Sequence, residues 1–385
     1  MLNVGVIFGS RSAEHDVSIA SAYAVMVWLE KIGIYTIHPI YINSNGEWIA
    51  DDRLKDLKGI TEYRRNSVDS IPSCKIDFSR LGKLHLTTEG SGIFSRSKKI
   101  VLDVVFPVLH GKNGEDGTIQ GLCELLRVPY VSPSILGSAL SLNKITMKDM
   151  FSSLKLPITK YRSFHRGDVI NYTLLGTELQ YPLFIKPANL GSSIGVSRAM
   201  NETELKQAIE VAFHYDSHLL VEEGVNNPME LLQCVMKKDS QVVTSLIQQP
   251  VTNGDFLSFD EKYTGEEGGT MQGLEEKVIT PAPISEIRTI EIGNMSKLIF
   301  QAFSCEGGAP RIDYLYDKEQ DRVYVNEVNA IPGALQMHLW EKSGFSQAEF
   351  LNNLIETAIT RNNTQDTNID FKSNILDYTL SFVKK

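Results

Sequence analysis

Cysteine is scarce in this chain. The four residues, Cys74, Cys123, Cys234 and Cys305, lie far apart, which excludes a short-spaced metal knuckle or redox pair and leaves buried thiols in a reducing compartment as the expectation. Cationic side chains are in deficit as well: 38 Lys and Arg stand against 47 Asp and Glu, a formal net charge of −9. A nucleic-acid partner is therefore not expected, because a phosphate backbone demands a strong positive field. No run reaches the roughly 18 apolar residues that a membrane span requires. The opening residues 1–8 lack a basic stretch followed by a long apolar segment, so no signal peptide is read there. These absences set the expectation of a cytoplasmic protein without a membrane partner.

What is present is an ordinary globular composition, 42% hydrophobic and 22% charged over 385 residues, enough for two or three domains. Residues 4–8 form an apolar run that stops at Gly9-Ser10-Arg11-Ser12 and reads as a buried parallel strand entering a turn. A helix over 17–31 and a strand over 34–42 complete an α/β unit. Residues 101–109 read as one further buried strand, ending at His110-Gly111 and followed by a helix from about residue 118. Residues 51–100 are polar and irregular. A single Lys- and Met-containing helix is expected up to about 154, then a strand over 181–186, an amphipathic helix over 202–213 and a short strand over 219–222. Strands near 230–236 and 242–248, a helix over 284–303, a hairpin of 310–316 with 322–328 and a helix over 348–360 follow. Residues 251–275 are rich in Gly and Glu.

Three constellations carry chemistry. In the first, Lys186 ends a strand and meets the loop Pro187-Ala-Asn-Leu-Gly191-Ser192-Ser193-Ile194-Gly195. Glycine lets backbone N–H groups approach a phosphate and lysine adds a point charge; the alternative is an ordinary tight turn. In the second, strand alternation puts Arg311 and Asp313 on one face of one strand, and Glu327 and Asn329 on one face of the next. Paired polar oxygens of this kind suit Mg²⁺, with nucleotide phosphates filling its remaining positions; a solvent-facing hairpin would also alternate. In the third, Glu222-Glu223-Gly224, with Glu230 beyond, could hold an adenine edge through backbone and a ribose through a carboxylate. The alternative there is solvated acidic surface. His110, at a strand end before a glycine, reads as a binding residue.

The order Lys-Pro-x-x-x-Gly-Ser-Ser-x-Gly, Glu-Glu-Gly, Arg-x-Asp and Glu-Val-Asn-x-x-Pro-Gly resembles the ATP-grasp superfamily. The runs from Gly9 to Ser18 and from His110 to Gly121, with Asp260-Glu-Lys262-Tyr263, resemble the D-alanine–D-alanine ligase family more closely. The resemblance extends to about residue 360. It implies an α/β chain: a Rossmann-like parallel α/β domain over 1–135, ATP-grasp subdomains over 136–227 and 228–365, and a tail over 366–385 of no assigned role. It also implies ATP and two Mg²⁺ ions, with Mn²⁺ as a substitute, small amino-acid substrates and a homodimer.

Carried onto this chain, the resemblance gives Lys144, Lys186, Ser193 and Lys262 to the ATP phosphates, and Glu222, Glu223, Val225 and Glu230 to adenine and ribose. Asp313, Glu327 and Asn329 would hold the metal. Glu14 would take the ammonium of the first D-alanine, with His110 near its carboxylate. Ser192 and Tyr263 would join Glu14 in a hydrogen-bonded set, Arg311 and the Gly333 N–H would face the developing oxyanion, and 251–275 would close as a lid. The second amino acid would lie by His338 and Leu339. Here the sequence departs from the family: Ala330 and Leu335 stand where threonine is usual, His338 where serine is usual, and Pro228-Met229-Glu230 replaces Gly-Arg-Glu. Three readings therefore stay open at this point: a D-alanine–D-alanine ligase, a related ligase with another acceptor, and a non-catalytic nucleotide-binding protein.

Overall fold

The computed structural model describes residues 1–65, 71–88, 97–251 and 278–364, together with Ile375, Leu376 and Thr379. The N-terminal part opens with β1 (Leu2–Gly9), α1 (His15–Ile32), β2 (Tyr35–Ile42), β3 (Trp48–Ala50) and α2 (Leu57–Arg65). It continues through β4 (Cys74–Ile76), β5 (Leu84–Thr88), β6 (Lys98–Leu102), β7 (Val104–Pro107) and α3 (Thr118–Leu126). The main sheet runs β3-β2-β1-β7, with β1 parallel to both β2 and β7. Val4, Val6, Ile7 and Phe8 are wholly buried, as a strand covered on both faces requires. The segments 9–14 and 110–117 therefore leave the carboxyl ends of adjacent parallel strands, where α/β sheets place their ligands.

Residues 101–109 are not one strand. Chain 98–102 joins the antiparallel sheet β4-β5-β6, and 104–107 enters the main sheet. The break falls at Asp103, whose carboxylate accepts the Asn3 N–H at 2.8 Å and pairs with Lys83 at 2.6 Å. A polar anchor inside an apolar run redirects the chain. The described residues of 51–100, silent in the sequence, supply α2, β4, β5 and the start of β6.

The central part holds α4 (Ile135–Leu142), α5 (Lys144–Ser153), β8 (Tyr161–His165), α6 (Tyr172–Leu179), β9 (Leu183–Pro187), β10 (Ser197–Ala199), α7 (Glu202–Tyr215) and β11 (His218–Glu223). The expected single helix before 154 is two, because Asn143 is extended (φ −81°, ψ 105°) and its side chain accepts the Thr146 N–H. Its sheet runs β10-β9-β11-β8, all antiparallel.

The C-terminal part comprises β12 (Met229–Lys238), β13 (Gln241–Thr244), β14 (Gln249–Pro250), β15 (Val278–Ile279), α8 (Glu286–Ala302), β16 (Arg311–Asp317), β17 (Arg322–Asn329), α9 (Met337–Lys342) and α10 (Gln347–Thr364). The sheet β13-β12-β16-β17 is antiparallel, and β14 pairs with β15 in a separate ribbon. The helix α10 shares one apolar core with α1 and the N-terminal sheet, through Trp28, Trp340, Phe350 and Leu354. The helix α10 thus packs back onto the N-terminal part.

Candidate active site

The β16/β17 ladder pairs Arg311 with Asn329 and Asp313 with Glu327, with a bulge after Asp313. All four groups meet on one face, as alternation predicts. Arg311 donates to both Asp313 oxygens, at 2.6 and 2.8 Å, and Asn329 Nδ2 donates to the second at 3.1 Å. Burial alone would make the Arg311 guanidinium easier to deprotonate, but Asp313 reverses this and raises its pKa. Lys144 Nζ lies 3.9 Å from Glu327 and donates to the Leu190 carbonyl at 2.7 Å. Among the described residues no three His, Cys, Asp or Glu side chains converge as a metal site. The set here is two carboxylates and an amide oxygen, hard donors that suit Mg²⁺ once phosphate oxygens complete its shell.

Beside this face, Lys186, next to last in β9, pairs with Glu222 of β11, across the register Lys186–Leu220. Its ammonium also reaches Asn326 Oδ1 at 3.4 Å. The other Glu222 oxygen holds Lys148 at 2.9 Å, and Thr159 Oγ1 donates to it at 2.9 Å. Sequence reasoning missed Lys148. The signal was a lysine one helical turn after Lys144, next to Met147 and one turn before Phe151, on the face α5 buries. Burial would raise the Glu222 carboxyl; the two lysines drive it well below the usual carboxylate range. Burial would lower Lys186, but Glu222 and Glu327 raise it, whereas at Lys148 burial prevails and the pKa falls. Glu222 thus turns its side chain inward onto two lysines. Glu223 holds Lys160, accepting its N–H at 3.0 Å. Glu230, at the start of β12, adds to the negative field at Lys186, and Val225 follows β11 in the connection to β12.

At the N-terminal end, Glu14 precedes α1 but does not cap it. Its carboxylate turns to the loop after β9 and accepts from Ser192 Oγ. Ser192 and Ser193 both have positive φ, 52° and 58°, which aims the loop at the crevice. Gly111 (φ 67°) favours glycine here: a Cβ would sit 2.4 Å from Glu14 Oε2 and displace that carboxylate. Ser12 bridges the same corner, accepting the Glu14 N–H at 3.1 Å and donating to the His110 carbonyl at 2.7 Å.

Behind this corner His110 is buried. Its Nε2 lies 3.0 Å from Ser21 Oγ, which also accepts the Ala334 N–H at 3.0 Å, and Ile331 supplies a further backbone hydrogen bond. Burial pushes its imidazole down to about 4, so it is neutral at pH 7. His110 therefore supports the turn 331–334. Glu115, also unassigned from sequence although inside the run from His110 to Gly121, performs the same task. It accepts the Gly111 N–H and the Ile331 N–H, each at 2.8 Å. Burial, then the neighbouring Glu14, pushes it up to about 8.

Gly333 lies within that turn, and no heavy atom lies within 4 Å of where its Cβ would be. The next three residues, Ala334, Leu335 and Gln336, have φ of 43°, 53° and 51°. Left-handed backbone costs about 1–2 kcal/mol per non-glycine residue, so this turn persists only because its surroundings hold it. His338 Nε2 is 2.9 Å from Gln248 Oε1, and Leu339 is buried in the core. Lys262 and Tyr263, with nearly all of 251–275, lie outside the described residues. All four cysteines are buried free thiols. No helix among the described residues is long and apolar enough to cross a membrane.

Comparison with known proteins agrees with this geometry. The family models for the D-ala D-ala ligase N-terminus and C-terminus match residues 3–133 and 150–356. A D-alanine–D-alanine ligase of Thermosipho africanus is 35% identical over 360 residues, 93% of each chain, and one of Natranaerobius thermophilus is 35% identical over 381 residues, covering 95% of this chain and 97% of its own. Among solved structures, a D-alanine–D-alanine ligase from Coxiella burnetii superposes with a TM-score of 0.76 at 27% identity, over 95% of this chain and 97% of its own. A D-Ala:D-Ser ligase from Enterococcus faecalis superposes at 0.75 and 30% identity, over 93% and 99%. With both family models covering most of its length and full-length relatives at this identity, the chain belongs to the D-alanine–D-alanine ligase family and has the ATP-grasp fold.

Proposed function

We propose that this protein joins the carboxylate of one D-alanine to the amine of a second, using ATP and releasing ADP and phosphate. The observation that carries the reading is that two clusters are joined through Lys144, which contacts both the Leu190 carbonyl of the Ser192 loop and Glu327. Glu14 and Ser192 stand at one end, and Arg311, Asp313, Glu327 and Asn329 with two lysines stand at the other. A free carboxylate is a poor acylating agent because its leaving group is poor. Transfer of the γ-phosphoryl group makes an acyl phosphate, which the second amine attacks as phosphate departs.

Lys144 and Lys186, with the Ser193 loop, supply positive charge and donors for the nucleotide phosphates. Glu222, Glu223, Val225 and Glu230 border adenine and ribose, Glu222 chiefly by presenting Lys186. Asp313, Glu327 and Asn329 suit two Mg²⁺ ions or Mn²⁺, which when bound supply charge neutralisation on the phosphates. Glu14, oriented by Ser192, takes the donor ammonium, and His110 holds the turn beside the donor carboxylate. Arg311 and the Gly333 N–H face the acyl oxygen as it gains charge; one such donor is worth about 2.7–4 kcal/mol. His338 and Leu339 border the acceptor, and Lys262 and Tyr263 take the roles the family gives them. The same reading expects a cytoplasmic homodimer that serves peptidoglycan synthesis.

Phosphate release from ATP should be measured across a panel of D- and L-amino acids, with mass analysis of the products. Release that depends on D-alanine and yields D-alanyl-D-alanine is expected. Release with another acceptor only, or none with any amino acid, would overturn the reading.

A further inference from the structure

The short helix α9 begins where the left-handed turn 334–336 ends, and both its ends are tied to the connection between β13 and β14. At its start His338 Nε2 contacts Gln248 Oε1 at 2.9 Å. At its end Ser343 Oγ accepts the Leu246 N–H at 2.9 Å and donates back to the Leu339 carbonyl at 2.6 Å. Gln248 is a firm anchor. Its side chain is buried, its backbone exchanges both hydrogen bonds with Leu232 at 2.9 Å, and Thr280 Oγ1 donates to the same Oε1 at 3.4 Å. An amide oxygen only accepts, so His338 facing Gln248 Oε1 donates from Nε2. On the opposite side the turn is held by Ser21, through the Ala334 N–H. A turn with three successive left-handed non-glycine residues needs such anchors front and back.

We propose that His338 is a positioning residue for the second amino acid: its hydrogen bond to Gln248 holds the turn 334–336, and thereby sets the start of α9, where Leu339 borders the acceptor. The imidazole acts through protein, not on substrate. The role of this loop toward the acceptor rests on the function proposed above. It also accounts for a histidine at a position where a short hydroxyl could not span to Gln248.

The test uses His338→Ser, His338→Gln and Gln248→Leu in the full chain. Loss of one hydrogen bond to a held partner corresponds to about a tenfold effect. His338→Ser and Gln248→Leu should each raise the KM for the second D-alanine about tenfold and leave the KM for ATP unchanged, and the double variant should be no worse than either alone. His338→Gln, which keeps a donor at nearly the same reach, should restore the native KM. Amide exchange over 333–342 should quicken in the serine and leucine variants, a readout independent of turnover. A changed acceptor KM in His338→Ser with Gln248→Leu silent in both assays would put the imidazole on the substrate and overturn the proposal. Native kinetics and exchange in all variants would overturn it too. If the native enzyme makes no dipeptide, the functional reading fails, and the exchange rates still decide the anchor.

Discussion

Replacing Glu222 by glutamine should destabilise the protein more than removing either of its partners. The carboxylate is buried between Lys148 and Lys186 and accepts from Thr159. Glutamine keeps the shape but leaves the two ammonium groups with only weaker neighbouring carboxylates, Glu327 foremost. Removing one member of a buried ion pair costs about 3–5 kcal/mol. Each kcal/mol moves the melting temperature of a domain of about 150–250 residues by about 2–4 °C, so Glu222→Gln should melt on the order of 10 °C lower. Lys148→Met should lose less than half as much. Glu222 keeps Lys186, and the deleted lysine is one whose charge burial already disfavours. The double variant should recover part of the loss.

The pH dependence has a defined sign. The folded pKa of Glu222 lies below the unfolded value of about 4.3, so its stabilisation is present above that value and fades as pH falls toward the folded one. Lys186 is raised, so its contribution is complete below about 10.4 and is lost as pH rises through its folded pKa. At pH 7 both contributions are in force. Differential scanning calorimetry at pH 7 and pH 4 decides the matter. A Glu222→Gln protein that melts within about a degree of native at pH 7, or above Lys148→Met, would refute the reasoning.

Glu327→Gln should reduce turnover severely and raise the Mg²⁺ requirement, with a melting point that falls less than that of Glu222→Gln, because it removes a charged oxygen at constant volume; a magnesium titration of initial rates checks it. Gly111→Ala should raise the KM for the first D-alanine while sparing that for ATP, since the added Cβ would lie 2.4 Å from Glu14 Oε2; steady-state kinetics with each substrate varied in turn checks it. Glu115, pushed up to about 8, keeps a proton on folding that the unfolded chain has shed. Stability should therefore fall as pH rises toward about 8. His110 opposes this only below its unfolded value of about 6.5. Thermal melts between about pH 6.5 and 8 should show the decline, and Glu115→Gln should flatten it.

How much of this was legible in the sequence follows from the range of the forces involved. The apolar run at 4–8, the helix after it and the alternating hairpin of β16 and β17 are local patterns, and the structure has them within a few residues. Strand periodicity was also enough to bring Arg311, Asp313, Glu327 and Asn329 to one face. The division at Asp103 was not legible, because it depends on Asn3, 100 residues away. Lys148 read as one more helical lysine until its partner on β11 was known. His338 stood out as a departure from the family, yet its role turns on Gln248, 90 residues earlier. Glu115 sat in plain view inside a glycine-rich run, but its bond to the Ile331 N–H spans 216 residues. Chemistry written within one turn or one hairpin can be read along the chain; chemistry made by distant segments meeting cannot.

The central claim is ligation through an acyl phosphate, and isotope transfer tests it most directly. D-Alanine labelled with ¹⁸O in its carboxylate, supplied with ATP and Mg²⁺, should yield D-alanyl-D-alanine and inorganic phosphate carrying one ¹⁸O per dipeptide formed, alongside ADP. The label moves because the donor carboxylate gives up one oxygen to the phosphoryl group when the acceptor amine displaces it. Dipeptide formed with unlabelled phosphate, or with AMP and pyrophosphate in place of ADP, would contradict the account.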